Sequence, residues 1–360
     1  MVSYAVVFDI DGVLMKDSVA IPGASEALAS LEARGVPTIF VSNGGGRTEE
    51  TRAAQLSRVL GTPVAPEQMV LPHTPMRALA AAATAPDALP VLCVGRGATA
   101  AVARSLGLHR VALLGDVAAA RPFLFPQKRY SAERTAAARA LPPAAVARDG
   151  VSAVFVLEEP EDWGEALQVV VDVLRCAHGR LPLAPDEAPV PVCAGAGAAQ
   201  SVPVYVANPD FVYGGEFAFV RYTVGAFVRC LALLYRELLG AELACTFYGK
   251  PEPTTYAWAR TVLARELERR APQAHDRGHA QAQLRTVYAI GDNPRSDVRG
   301  ARNAAAADPA VRWVPVLTRT GCFQGAPGTN DPDDPADIVV SDVAEAVATI
   351  IRLEDEKARA

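Results

Sequence analysis

The stretch YAVVFDIDGV at residues 4–13 decides how the rest of the sequence is interpreted. Its first five residues form a continuous apolar run of the length typical of a buried strand, and Asp9 and Asp11 follow at once. Two carboxylates two positions apart past a buried strand suit a nucleophile and a proton-transfer partner beside Mg²⁺. A calcium loop and a turn with solvated carboxylates are the alternatives. Val13 and Ala20 disfavour the calcium loop, because an EF-hand carries oxygen ligands at those two positions.

Strand and helix patterns alternate along the chain beyond this stretch. Helical spacing of apolar residues over Ala24–Leu31 leads to a second apolar run at Thr38–Val41, which predicts a strand–helix–strand unit. Residues Thr48–Leu60 predict a further helix with acidic residues in its first turn. Four later apolar runs, separated by helical patterns, predict the other strands of a parallel sheet that is covered on both faces. These runs are Val204–Ala207, Thr246–Tyr248, Val287–Ile290 and Val314–Leu317.

The segment between the early and the late strand runs has strand and helix patterns of its own. Val91–Val94 and Ala153–Leu157 predict strands, and a helical pattern begins near Trp163. We therefore predict an α/β fold with a Rossmann-like, doubly wound parallel sheet and an inserted α/β domain. The predicted core comprises residues 1–75 and 204–360, and the predicted insertion comprises residues 76–203.

The composition excludes several classes of protein. A chain of 360 residues fits about two domains, and with 50% hydrophobic and 21% charged residues it is not a disordered tail. The net charge of -5 gives no reason to expect nucleic-acid binding. No uncharged apolar stretch reaches about 18 residues, so we expect no membrane span. Six cysteines without a CxxC pair indicate reduced thiols rather than a zinc site or a disulfide framework.

The first predicted strand also bears on the cellular location of the protein. A strand that begins near residue 4 leaves no room for a signal or transit peptide, so we expect a cytoplasmic protein. The alternative is a mitochondrial protein whose targeting segment is missing from this sequence.

Polar residues stand at the ends of five predicted strands. Because parallel strands present their carboxyl ends at one edge of a sheet, we expect these side chains to converge on a ligand-binding crevice. They are Asp9 and Asp11 after the first strand, Ser42 and Asn43 after the second, Asn208 and Asp210 after the third, Lys250 after the fourth, and Asp292 after the fifth.

Each of these motifs also has a structural interpretation when it is taken alone. The glycine-rich stretch at 44–46 suits a flexible turn, although its N–H groups at a helix start also suit an anion. Lys250 suits a solvated surface. Asp297, five residues after Asp292, suits a helix N-cap. The shared edge of the sheet is what favours one site for a phosphate and a cation.

Four motifs, DIDGVL, VSNGG, YGKPEP and GDNPRSD, in that order, resemble those of haloacid dehalogenase-like (HAD) phosphatases. The long insertion between the second and third motifs is similar to the class IIA subgroup, whose members carry a large α/β cap domain there. Within that subgroup, SNGGGRTEETRAAQLSRVLG, LPHTPM and GKPEPTTYAWA are similar to the cat-eye-syndrome critical-region protein family. The resemblance also implies self-association through the caps, so a homodimer is expected on that ground alone.

The resemblance implies a Mg²⁺-dependent phosphatase of small phosphorylated metabolites. Asp9 would attack phosphorus and form an aspartyl-phosphate, and Asp11 would protonate the leaving oxygen and then activate water. Lys250 would neutralise the phosphoryl group, which Ser42, Asn43 and Gly44 would bind. The implied Mg²⁺ ligands are Asp9, the backbone carbonyl of Asp11 and Asp292, with Asp297, Asn293 and Asn208 in supporting positions.

Two other functions remain open from the sequence. A phosphotransferase would pass the same aspartyl-phosphate to an alcohol instead of water. A catalytically idle binding protein on the same scaffold would be expected to lack Asp9, Asp11 or Lys250, and all three are present. In the inserted domain, Arg96 is a candidate substrate contact with a solvated arginine as its alternative. His73, in the LPHTPM stretch before that domain, suits a structural hinge.

Overall fold

The computed structural model describes residues 3–80, 88–192, 200–213, 219–270 and 284–359. Within these ranges the chain forms two parallel sheets, and each is covered by helices on both faces. Cys193 lies outside the described residues. The other cysteines, Cys93, Cys176, Cys230, Cys245 and Cys322, are unpaired.

The first sheet has six strands in the described part of the chain, all of them parallel. Three of its four inner strands are buried along their whole length, as expected for a sheet with helices on both sides. In spatial order the strands are β15 (Ile338–Val340), β14 (Arg312–Thr318), β13 (Thr286–Gly291), β1 (Tyr4–Phe8), β4 (Thr38–Val41) and β5 (Met69–Val70).

Helices cover the two faces of this sheet in two groups. One face packs against α1 (Ala24–Ala33), α2 (Glu49–Leu60) and α10 (Val343–Arg359). The other face packs against α8 (Pro253–Arg270) and α9 (Arg299–Ala307). The predicted doubly wound α/β sheet is therefore confirmed.

The second sheet is also parallel and comprises five strands among the residues described. In spatial order these are β12 (Cys245–Phe247), β9 (Val204–Val206), β8 (Ala153–Val156), β6 (Val91–Val94) and β7 (Val111–Leu113). Its helices are α3 (Thr99–Ser105), α4 (Leu114–Ala120), α5 (Ala132–Arg139), α6 (Trp163–Arg175) and α7 (Val224–Leu239).

Short elements complete the two units. Two small antiparallel ribbons pair β2 (Met15–Lys16) with β3 (Val19–Ala20) and β10 (Val212–Tyr213) with β11 (Arg221–Tyr222). A π-helical turn at Pro294–Val298 follows β13. None of the described helices combines the length and the apolar character that crossing a bilayer requires.

The pairing of β9 and β12 corrects one prediction. The sequence analysis placed Val204–Ala207 and Thr246–Tyr248 in the core sheet, but β9 pairs with β8 and β12 pairs with β9 in the second sheet. The chain thus contributes to the second sheet beyond the predicted boundary at 203/204. The prediction that all five polar strand ends lie on one sheet edge is wrong, because a short apolar run does not specify the sheet it joins.

Candidate active site

Lys250 lies at the centre of a buried polar cluster. Its Nζ is 2.5 Å from Asp9 Oδ1 and 2.6 Å from Asp297 Oδ1. Asp9 directly follows β1, and Asp297 lies in the π-helical turn after β13, so neighbouring strands of the first sheet supply both carboxylates. All three side chains are buried. Because buried charges require partners, this arrangement fixes the lysine between the two carboxylates.

A third carboxylate, Asp292, lies beside this pair. One oxygen from each of Asp9, Asp292 and Asp297 lies within 4.8 Å of the others, and all three residues are buried. Lys250 offsets one of the three negative charges that the ionised carboxylates carry. An all-oxygen donor set with excess negative charge suits a hard divalent cation such as Mg²⁺. The residues present therefore fit the metal ion that the sequence motifs imply.

Burial and mutual repulsion shift the pKa values of this cluster. Burial raises the pKa of Asp9 well above its usual range, Lys250 opposes the shift, and Asp297 adds to it. Burial also raises the pKa of Asp292 to about 6, again with Asp297 adding to the shift. For Lys250, burial favours the neutral amine, but Asp297 and Asp9 outweigh it and raise the pKa well above its usual value.

The Asp11 side chain turns toward the loop that follows β4. Ser42 Oγ donates to Asp11 Oδ2 at 3.4 Å, and the Gly44 N–H donates to Ser42 Oγ at 2.9 Å. Arg52 Nη2, on α2, donates to the same Asp11 oxygen. The Asp11 side chain is 53% exposed, in contrast to the three clustered carboxylates. It is therefore accessible for proton transfer at the mouth of the site.

The Asn43 side chain joins the loops of the two sheets. Its Nδ2 donates to the Lys250 carbonyl at 2.8 Å and to Asp210 Oδ2 at 3.0 Å, and the Lys250 N–H donates to its Oδ1 at 2.7 Å. Asn208 Nδ2 donates to the Asn43 carbonyl at 3.0 Å. Gly249 has φ +87°, and a Cβ there would lie 2.9 Å from Asn43 Oδ1. The close approach that positions Lys250 therefore requires glycine.

Asn293 and Asp210 have more local contacts. The Asn293 N–H donates to Asp297 Oδ2 at 3.0 Å, while its own Oδ1 accepts from the Arg295 N–H at 3.1 Å. Asn293 thus shapes the turn that carries Asp297. The Asp210 N–H donates to Asn208 Oδ1 at 2.8 Å, and burial raises the pKa of Asp210 to about 6.

The sequence analysis missed Arg52. This residue is 3% exposed, and besides Asp11 its guanidinium donates from Nη1 to Gln55 Oε1 at 2.8 Å, whereas its buried Nε has no partner. One signal was available. Arg52 stands four positions before Leu56 and eight before Leu60, on the apolar stripe of its helix. A charged residue on such a stripe is expected to be buried and paired.

Glu49 anchors the start of the same helix. Its Oε1 accepts from Thr74 Oγ1 at 2.7 Å and lies 2.9 Å from Arg77 Nη2, and its Oε2 lies 3.9 Å from Nε2 of the fully buried His73. Burial acts to raise the pKa of Glu49, but His73, Thr74 and Arg77 outweigh it and lower the pKa to about 2. His73 thus lies beside the buried Glu49 at the start of α2.

Carboxylates also follow β8 in the second sheet. Glu159 accepts from Arg96 Nη2 at 2.8 Å and from Thr223 Oγ1 at 2.9 Å, so Arg96 is paired within its own unit. Glu158 lies against Gly46, where φ is +72° and a Cβ would lie 2.6 Å from Glu158 Oε2. Burial, with Glu159 adding, raises the pKa of Glu158 to about 7. Glu158, like Asp210, is therefore a carboxyl group of the second sheet that lies against the loop after β4.

Comparisons with known proteins place this site in a family. A model described as haloacid dehalogenase-like hydrolase matches residues 6–109, and one described as HAD-hydrolase-like matches residues 247–346. The first match includes Asp9, Asp11 and Ser42, and the second includes Lys250 and Asp292.

Three individual proteins show the extent of the similarity. A mitochondrial hydrolase of Saccharomyces cerevisiae is 28% identical over 359 residues, which cover 95% of this chain and 94% of that protein. A cardiolipin synthase (CMP-forming)/mitochondrial hydrolase fusion protein of Schizosaccharomyces pombe is 30% identical over 343 residues, which cover 94% of this chain and 51% of the fusion. The solved structure of a p-nitrophenyl phosphatase from Archaeoglobus fulgidus has the same fold, with a TM-score of 0.58 and 17% identity over 96% of this chain and 98% of that chain.

The two family models describe the same kind of hydrolase, and their matches contain the residues that converge in the structure. The prediction from the four motifs is thus confirmed at the level of the superfamily. The finer resemblance to the cat-eye-syndrome critical-region family stays a prediction. The chain belongs to the haloacid dehalogenase-like hydrolases.

Proposed function

We propose that this protein is a Mg²⁺-dependent phosphatase of small phosphorylated metabolites that works through an aspartyl-phosphate on Asp9. The Lys250 ammonium held between Asp9 and Asp297 is the observation that carries the proposal. Phosphoryl transfer depends on in-line positioning and on neutralisation of charge. A buried carboxylate nucleophile reaches a phosphate dianion only where fixed cations offset both charges, and Lys250 supplies one of them.

The residues of the site have complementary roles in this proposal. Asp9 attacks phosphorus, so that its O–P bond forms while the bond to the leaving oxygen breaks and Asp11 donates a proton to that oxygen. Asp11 then takes a proton from the water that attacks phosphorus, and the O–P bond to Asp9 breaks to release inorganic phosphate. The Ser42 hydroxyl and the N–H groups near Gly44 hold the phosphoryl oxygens.

In this proposal, the acidic cluster binds the metal ion. Asp9, Asp292 and the backbone carbonyl of Asp11 would hold Mg²⁺, with Asp297 close beside them. When bound, the ion supplies positive charge at the phosphoryl oxygens. Asn208 and Asn293 support Asn43 and Asp297 respectively, so the two asparagines act through their neighbours.

The similar proteins support the reaction class and bear on location. One solved structure with this fold is a p-nitrophenyl phosphatase, which acts on a phosphate monoester. Both fungal relatives are named as mitochondrial hydrolases, which favours the mitochondrial alternative over the cytoplasm. Microscopy of the full-length gene product with a C-terminal fluorescent tag tests that location, and a signal spread through the cytosol would contradict it.

The experiment that tests the function is phosphate release from a panel of sugar, polyol, nucleotide and cofactor phosphates and an aryl phosphate, with Mg²⁺ and with EDTA. We expect turnover that EDTA removes, that Asp9→Asn abolishes, and that the exposed control Asp17→Asn retains. Release that needs an added alcohol acceptor would identify a phosphotransferase. A folded, Mg²⁺-binding protein without turnover on any substrate would contradict the phosphatase proposal.

A further inference from the structure

A second charged cavity lies in the unit formed by the second sheet. It has a volume of about 220 Å³ and is lined by Ala120, Arg121, Arg139, Val146, Arg148 and Leu183. These residues come from the end of α4, the end of α5 and the loops around them, beside the edge strand β7. The cavity shares no lining residue with the site around Asp9. All six residues lie between the two segments that the family models match.

Arg121 is the residue that makes this cavity unusual. It is 3% exposed, its Nη1 is buried without any hydrogen-bond partner, and its Nη2 has only one long bond of 3.4 Å, to the Ala147 carbonyl. Burial and the charge of Arg148 lower the pKa of Arg121 to about 10. A buried guanidinium normally pairs with a carboxylate or a phosphate, because leaving it unpaired is costly.

The other two arginines leave the cavity positively charged. Arg139 Nε donates to the Ala120 carbonyl at 3.0 Å, and Arg148 Nη2 donates to the Arg139 carbonyl at 3.0 Å. Both bonds go to neutral backbone groups. Across the described residues, no carboxylate lies within ion-pair distance of Arg121, Arg139 or Arg148.

The acidic group that acts electrostatically on Arg121 is already engaged. Glu187 favours the charged form of Arg121, but its Oε1 lies 3.1 Å from Arg180 Nη2 and its Oε2 accepts from the Leu183 N–H at 2.6 Å. It therefore acts on Arg121 only from a distance. Three guanidinium groups around one cavity, with one of them buried and short of a partner, form a receptor for negative charge.

We propose that this cavity binds a small anionic metabolite through a phosphate or carboxylate group, with Arg121 as the buried anchor and Arg139 and Arg148 at the entrance. The volume is far larger than one water requires, so the cavity has room for a small molecule around the anionic group. Arg121 Nη1 donates to the anion, which supplies the partner that the protein itself does not. This site is separate from the proposed catalytic centre and stands whether or not that centre is a phosphatase.

Isothermal titration of the full chain tests the proposal, with inorganic phosphate in one arm and citrate in the other, both in low-salt buffer. Comparison of the wild type with Arg121→Gln and with the double variant Arg139→Gln/Arg148→Gln isolates the cavity, because any phosphate held at the Asp9 site binds equally in all three proteins. We expect at least one anion to bind with a dissociation constant that each variant raises about tenfold or more.

The exposed Arg104 in α3 provides a matched control, since Arg104→Gln makes the same change of charge in the same unit away from the cavity. We expect Arg104→Gln to bind both anions as the wild type does. If Arg121→Gln fails to fold, the double variant tests the proposal on its own, because both of its substituted positions are exposed and should not affect folding. The absence of saturable binding to the wild type, or affinities that the double variant leaves unchanged, would overturn the proposal.

Discussion

The two sheets of this protein have the same architecture and differ in the side chains at the carboxyl ends of their strands. Both are parallel, both are covered on two faces, and both carry carboxylates just past their buried strands. In the first, Asp9 and Asp292 follow neighbouring strands, and Lys250 contacts Asp9 and Asp297. In the second, Glu158 and Glu159 follow a single strand, and Arg96 pairs with Glu159.

The difference shows that acidic residues at strand ends do not form a reaction centre on their own. The first sheet gathers three carboxylates, from the turns after β1 and β13, beside one cation, which the second sheet's unit supplies through the loop after β12. At the second sheet, the adjacent pair Glu158 and Glu159 follows one strand, and Asp210, which follows β9, contacts Asn43. We therefore expect the two edges to respond very differently to the same kind of substitution.

The largest contrast is expected between Asp9→Asn and Glu158→Gln, which both replace a carboxylate with its amide. Asp9→Asn removes the nucleophile and should lower kcat by about a thousandfold or more, because no other group replaces it. Glu158→Gln should keep kcat within about tenfold, because Glu158 contacts the loop and not the cluster. Steady-state phosphate release measures kcat for both variants. Similar losses of kcat in the two would contradict the difference between the two sheet edges.

A smaller effect is expected where the two units are joined. Asn43→Ala removes both hydrogen bonds that hold the Lys250 backbone, so kcat should fall by about 10–100-fold. Asn303→Ala is a matched control, because it removes a 3.1 Å bond to the Pro251 carbonyl without touching Lys250. Equal activity of the two variants would mean that Lys250 is positioned without Asn43.

Arg52 is expected to matter through Asp11. Arg52→Gln removes the cation that holds the Asp11 carboxylate beside Ser42, so kcat should fall about tenfold with little change in KM. Arg52→Lys should recover part of the loss. The control is Arg58→Gln, an exposed arginine on the same helix, which should behave as wild type. A rise in KM without a fall in kcat would show that Arg52 does not position Asp11.

The smallest effects are expected in stability, with opposite dependence on pH. Glu49 has a pKa lowered from 4.5 to about 2, so its contribution is present above pH 4.5 and is lost as the pH falls toward 2. Glu158 has a pKa raised from 4.5 to about 7, so the folded state loses stability as the pH rises from 4.5 through 7. Each contribution is about 1–3 kcal/mol.

Urea unfolding between pH 3 and 8 would separate the two carboxyl groups. Glu49→Gln should remove the loss of stability on the acid side, and Glu158→Gln should remove the loss on the neutral side. The same pH dependence in either variant as in the wild type would contradict the corresponding assignment.

The sequence predicted the parts of the fold and the site that depend on local pattern. Asp9, Ser42 and Asp292 come directly after apolar runs that form buried strands, so their position at a sheet edge follows from those runs. The membership of β9 and β12 in the second sheet was not predictable in this way, because pairing between distant strands depends on the packing of the whole chain.

The partners of the buried charges were beyond the sequence analysis. The place of Arg52 on the apolar stripe of its helix indicates burial, but Asp11, the partner of Arg52, and Thr74 and Arg77, the partners of Glu49, are known only from the folded structure. Arg121 gave no local signal at all, since its burial depends on segments that meet only in the folded unit.

The most direct test of the account is to trap the covalent intermediate. Wild-type protein mixed with its best substrate and Mg²⁺, quenched in acid within one turnover and digested, should carry one phosphoryl group on the peptide that contains Asp9, as measured by mass spectrometry. The Asp9→Asn protein should carry none. A phosphoryl group on a different residue, or turnover that persists in Asp9→Asn, would contradict the assignment of Asp9 as the nucleophile.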